Sequence, residues 1–164
     1  MKTEELVGSF QDILNNGSYL TDPYPGSRSG LHFFTEFDGI NLKRRDTFPK
    51  GFIRCHPIST ENSGFGSNDQ VLPQSISLDI FYYVVEGTKE LSGSRTNEGY
   101  VIFMIDNIKD AIIQNQVELR RNDIHLEKSG IDTTEPVHKY RQEGSEFNLF
   151  WSVLSVKLRT AVNN

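Results

Sequence analysis

The sequence predicts an α+β fold: a mixed, mainly antiparallel sheet with an N-terminal helix and one long helix packed on one face. Three patterns carry this. Residues 75–85 alternate with the period of two of a strand, residues 97–119 repeat apolar side chains with helical spacing, and residues 147–159 form a long run apolar on both faces. A chain of 164 residues, 36% hydrophobic and 24% charged, suits one domain with its own core.

The first element is expected as a helix over residues 3–15. Thr3 is placed to cap it, Glu4 and Glu5 complement the helix dipole in the first turn, and Leu6, Val7, Phe10, Ile13 and Leu14 fall on one stripe. Asn16-Gly17 ends it, since glycine readily takes the left-handed conformation that closes a helix. Asn16-Gly17-Ser18 also spells a glycosylation sequon. Because the start, Met1-Lys2-Thr3-Glu4-Glu5, lacks the layout of a secretory signal, the helix stop is the expected role. Residues 16–30 read as a loop rich in turn formers, and residues 31–37 as a short strand that Asp38-Gly39 turns out of.

A second extended segment is expected from Phe52 to Ile58, where Pro57 either places it at an edge or ends it. Residues 59–70, dominated by Ser, Asn and Gly, predict a loop. The clearest strand follows. Ile76, Leu78, Ile80, Tyr82 and Val84 share one face, while the opposite face begins polar at Ser75, Ser77 and Asp79 and ends aromatic at Phe81 and Tyr83. A face of that kind suggests contact with something beyond the sheet.

The long helix, residues 97–119, should cover the apolar face with Val101, Met104, Ile105, Ile108, Ile112 and Leu119. Ile102, Phe103 and Ile113 widen its apolar arc and hint at a second contact, with a neighbouring subunit as one occupant. Residues 123–128 alternate as a short strand, residues 129–146 read as a polar excursion, and the last strand places Trp151 with Phe147, Phe150, Tyr82 and Tyr83 if it pairs with residues 75–85.

Charge narrows the function. Residues 61–114 hold three basic and eight acidic side chains, while the segments before and after each balance at seven and seven, so the net charge of -5 is local. Phosphate neutralisation by Lys and Arg supplies most nucleic-acid affinity, so specific DNA binding is disfavoured, and an acidic surface suits DNA only in passage. The clusters Lys43-Arg44-Arg45 with Lys50, and Arg120-Arg121 with His125 and Lys128, are expected as solvated loops and helix ends, or else as docking patches for an acidic partner.

No motif of catalysis emerges. The four histidines are scattered without a spaced ligand partner, so no metal is expected. Cys55 and His56 are adjacent and would point to opposite faces of a strand; the lone cysteine is expected as a buried structural residue, with no disulfide. Gly64-Phe65-Gly66 lacks the remainder of a phosphate loop, and no Gly-x-Ser-x-Gly is present. Asp79, Glu86, Asp106 and Asp110 are expected as solvated acids, with a carboxylate pair the alternative. Without an apolar run long enough to span a bilayer, no membrane association is expected, and the cytosol or an assembly built there is the expected compartment.

The pattern of elements resembles the tail terminator and tail completion proteins of tailed bacteriophages. The resemblance rests on the helix Leu6 to Leu14, Phe48-Pro49 leading into Phe52-Ile53-Arg54, the loop 59–70, the strand Ile76 to Val85, the helix Tyr100 to Leu119 and the strand Phe147 to Leu158. Lys50-Gly51 lengthens the family's step from proline to strand, and the excursion 129–146 is long for it. The resemblance implies a non-enzymatic virion subunit without cofactor, forming a homo-oligomeric ring, often a hexamer. That ring would sit at the head-proximal end of the tail tube, touching the tail tube protein and the neck connector. Residues placed at partner or subunit contacts are Lys43, Arg44, Arg45, Lys50, Phe103, Ile113, His138, Lys139, Tyr140 and Arg141. Another neck or baseplate subunit, or a small enzyme or ligand-binding domain with a pocket built from distant residues, are the alternatives.

Overall fold

The computed structural model describes residues 3–16, 32–35, 50–56, 59–60, 72–86, 96–133, 136–141, 143–144 and 147–162. Among these residues three helices, α1 (Thr3–Asn16), α2 (Asn97–Gln114) and α3 (Gln116–Arg121), accompany seven strands: β1 (His32–Thr35), β2 (Lys50–Cys55), β3 (Ser59–Thr60), β4 (Leu72–Val85), β5 (Ile124–Thr133), β6 (His138–Tyr140) and β7 (Leu149–Val162). The strands form a single sheet in the order β1-β2-β4-β7-β5, with β3 paired to β4 and β6 to β7. Every pairing is antiparallel except β1 with β2, so the fold is the α+β arrangement expected.

The two long strands form the centre. β4 and β7 pair over fourteen positions, from Leu72 opposite Val162 to Val85 opposite Leu149. Their even-numbered side chains, Ile76, Leu78, Ile80, Tyr82 and Val84 against Leu158, Val156, Leu154, Ser152 and Phe150, point to one face and are buried there. Ile53 of β2 and Ile124 of β5 extend this layer.

Both long helices cover that face. α1 buries Leu6, Val7, Phe10 and Leu14, and α2 buries Tyr100, Val101, Met104, Ile105, Ile108, Ala111 and Ile112. Removing so many apolar side chains from water is the main favourable term in the fold. Thr96 starts α2, its Oγ1 accepting from the Gly99 N–H at 3.1 Å. Between helix and sheet the buried Tyr82 and Tyr100 hydroxyls lie 3.3 Å apart, their rings edge to face at 6.1 Å. α1 also closes an edge: Asn15 Oδ1 accepts from the Phe33 N–H at 2.8 Å, and Gln11 Nε2 donates to the Phe33 carbonyl at 2.9 Å. Side chains thus take the place of a further strand beside β1 at this point.

Several expectations need correction. The helix expected over 97–119 breaks at Asn115, whose Nδ2 donates to the Ala111 carbonyl at 2.7 Å while its own N–H bonds the same oxygen at 3.1 Å. An asparagine side chain competes with helical backbone partners in this way. The chain resumes as α3, which buries Leu119. Asp123, expected to begin a strand, holds φ at 60° and turns the chain instead. The excursion 129–146 is in part extended, since β5 runs to Thr133 and β6 adds three residues beside β7. Ser59–Thr60, expected as loop, pairs with Gln74 and Ser75. The strand expected over 52–58 runs Lys50–Cys55 and lies inside the sheet, so Pro57 follows its end and marks no edge. Asn16, expected to begin the loop 16–30, is the last residue of α1, while residues 17–30, most of 59–70 and Asp38-Gly39 lie outside the described residues.

Candidate functional site

The odd-numbered side chains of β4 and β7 point away from the helices, and there the sheet presents rings and charges. Register puts Phe52 opposite Phe81, Arg54 opposite Asp79, Asp79 opposite Ser155 and Tyr83 opposite Trp151, so residues far apart in sequence share this second face. Among the described residues no helix packs on it. Phe52, Phe81, Tyr83 and Trp151 are each half-buried. Phe81 stacks on Tyr83 at 6.1 Å and meets Trp151 at 5.8 Å and Phe52 at 6.5 Å, within the range where ring pairs attract beyond their buried area. His138, brought in by β6, stacks on Trp151 at 4.5 Å.

Trp151 therefore does not join Tyr82 and Phe150, as the sequence suggested, because those two belong to the helix-covered face. Phe147 packs with Val85 and Leu149 in a small cluster separate from the main core. Two adjoining recesses use the ring cluster as their wall. One, of about 320 Å³, is lined by Tyr83, His138, Lys139, Tyr140, Leu149 and Trp151. The other, of about 260 Å³, is lined by Arg54, Asp79, Phe81, His138, Trp151, Val153 and Ser155.

Asp79 is the polar centre of this face. Arg54 Nη2 donates to its Oδ2 at 3.0 Å, His56 Nε2 lies 2.7 Å from the same oxygen, and the Ser155 hydroxyl donates to Oδ1 at 3.1 Å. Burial alone would raise the Asp79 carboxyl, but the hydrogen bonds from Arg54 and His56, the nearby imidazole and the Ser155 hydroxyl together hold it below its ordinary value. Arg54 also lies over the Phe81 ring, 5.3 Å from its centroid. Tyr83 moves the other way: burial raises its phenol, and Arg54 offsets this in part.

Serine, histidine and aspartate in contact invite comparison with a hydrolase relay, but the order differs. A relay passes the serine proton to the imidazole and uses the carboxylate to orient that ring. Here Asp79 stands between the other two and receives the serine hydrogen bond itself. The arrangement holds a carboxylate ionised and ties β2, β4 and β7 together. At the end of β4, Asn148 bonds Glu86 through its side-chain and backbone N–H groups. These bonds, helped by Lys139 and Arg141, hold the Glu86 carboxyl below its ordinary value. Among the described residues no three His, Cys, Asp or Glu side chains gather to hold a metal, and no helix is long and apolar enough to cross a membrane.

The expected contact residues divide unevenly. Lys43, Arg44 and Arg45 lie outside the described residues, and Lys50 is described only as the first backbone position of β2. Phe103 packs against the core, while its neighbour Ile102 is 53% exposed and Ile113 42%. His138, Lys139 and Tyr140 form β6, with Arg141 directly after it. The face is thus built largely from Arg54, His56, Asp79, Phe81 and Ser155; Asp79 and Phe81 lie on the strand face expected to meet something beyond the sheet, whereas Arg54, His56 and Ser155 were not expected at contacts. The aromatic end of residues 75–85 was the visible signal; the β2–β4 and β4–β7 registers supply what it lacked. Compared with known proteins, the chain matches no family model and no curated sequence.

Proposed function

We propose that this chain is a structural assembly subunit of the tail terminator kind, completing itself against other copies in a ring and docking through that ring to a tail tube and a neck connector. The observation that carries the reading is the two-sided sheet. One face is sealed by α1 and α2, while the other sets four large rings at half-burial on the central strands. Covering such rings yields roughly 25 cal/mol per Å² of apolar area, and a second copy is a ready source of cover. The Asp79 cluster supports a structural role, because its groups satisfy one another and offer no activated nucleophile.

Light scattering on the purified chain, with negative-stain imaging, tests the reading: ring particles of tube width are expected, and a strict monomer at high concentration rejects it. Pull-down with tube protein against connector protein separates a terminator from another neck or baseplate subunit. The recess beside Trp151 favours one second reading, a ligand-binding domain for a flat ring or cation held by stacking. That reading requires a monomer whose Trp151 fluorescence changes saturably with such a ligand.

A further inference from the structure

The outer side of α2 and the open face of the sheet lie on opposite sides of the molecule and differ in character. On α2, Ile102 and Ile113 stand about three turns apart on one side of the helix. Around them Glu98, Asp106 and Asp110 are exposed, with the partly buried Lys109 the one basic side chain on this arc. The patch is apolar and acidic. The open face of the sheet is aromatic and, at its surface, basic. Among the described residues its two arginine ion pairs have the cation as the outer member: Arg54 is 50% exposed against 14% for Asp79, and Arg159 57% against 27% for Glu127. Lys157 is exposed as well, and among the described residues Asp132 on the outer strand β5 is the exposed acid of this face.

We infer that in the assembly the outer side of α2 in one copy seats on the open sheet face of the next. This rests on the assembly reading above. Charge complementarity favours a second copy as the occupant: an acid-flanked pair of isoleucines meets rings edged by guanidinium and ammonium groups. The packing is also one the fold already uses, since the inner side of α2 covers the other face of the same sheet. Because the two surfaces are different and stand back to back, each copy offers one and accepts one. Such a head-to-tail contact forms a closed ring when its rotation closes, whereas two like faces meeting would stop at a dimer.

Two variants test this, Asp106→Lys with Asp110→Lys on the helix side and Lys157→Glu with Arg159→Glu on the sheet side. Each alone is expected to run as a monomer by light scattering. Mixed in equal amounts they are expected to regain particles of ring mass, because the intact helix side of one seats on the intact sheet face of the other and the two reversed surfaces, basic helix against acidic sheet, attract each other in turn. Ile102→Ser with Ile113→Ser provides a second helix-side variant without charge reversal, and far-UV circular dichroism and melting establish that each variant is folded. If the wild type forms rings but the mixture stays monomeric, or if either variant keeps the ring mass, the contact lies elsewhere and the inference is overturned while the assembly reading stands. If the wild type is itself monomeric, both fall.

Discussion

Asp79 shows how one side chain can tie three strands. It sits on β4, accepts from Arg54 on β2 and Ser155 on β7, and is 14% exposed, so its charge depends on those partners more than on water. Replacing it by asparagine keeps the shape and removes the charge. The expected cost at neutral pH is about 1–2 kcal/mol, the lower part of the range for hydrogen bonds to a charged group, because the half-exposed Arg54 is screened by solvent. The pH dependence has a definite sign. Asp79 in the folded protein titrates below its ordinary value of 3.8, so the unfolded chain takes up the proton first as pH falls. The stability that Asp79 adds is fully present above that value and is lost as pH drops through the lower, folded one. In urea titrations the gap between wild type and Asp79→Asn is therefore expected to close at the acid end, as pH falls through the range of the folded carboxyl. A gap that persisted at the acid end would contradict this account.

Two glycines mark where whole elements depend on the absence of a side chain. A Cβ on Gly51 of β2 would stand 2.2 Å from the buried Phe33 ring on β1, which α1 holds from above. Gly51→Ala is expected to cost about 1–3 kcal/mol, as overpacked cores do, with the loss read as a lower melting temperature. Gly130 lies where β5 shifts register between Leu126 and Ile131, and a Cβ there would meet the Lys157 carbonyl at 2.7 Å and the Glu127 carbonyl at 2.8 Å. Backbone gives way less readily than a flexible side chain, so Gly130→Ala is expected to lower the melting temperature too and to loosen amide protection in β5 more than in β4. Elements of this length differ in how legible they are from sequence. The alternation of residues 76–84 announced both the strand and its buried face, because every second side chain there is apolar and meets the same helices. The break at Asn115 was hidden because the apolar repeat runs on to Leu119 across it, and β6 because three residues, His138-Lys139-Tyr140, are too few to show a period. Pairing was the larger gap. Periodicity says which face a side chain takes within its strand, but only register says that Trp151 faces Tyr83 or that Arg54 faces Asp79.

At the scale of the whole molecule, the chain carries its own probe of assembly. Trp151 is the sole tryptophan, it is half-buried on the open face, and α2 lies on the far side of the sheet from it. In an isolated copy water and a quencher reach one edge of the indole. In a ring joined head to tail, the α2 of the neighbour covers that edge, so the emission maximum should move to the blue and iodide quenching should fall as protein concentration rises. The charge-reversed pair Asp106→Lys with Asp110→Lys then separates a covered face from a local change. Those substitutions stand on the far side of the sheet from Trp151, yet they should abolish the concentration-dependent shift; because Asp106 shares a recess with Val137 and Ser152, the chain neighbours of His138 and Trp151, the dilute-limit spectrum of the variant against wild type is the control for a local change. The charged rim adds a kinetic signature: exposed ion pairs are screened over about 8 Å at physiological salt, so raising the salt should slow the shift more than it lowers its final size, since the rings and isoleucines at the centre of the contact are indifferent to screening. A blue shift that appeared equally in the helix-side variant would mean that Trp151 is covered by some surface other than α2.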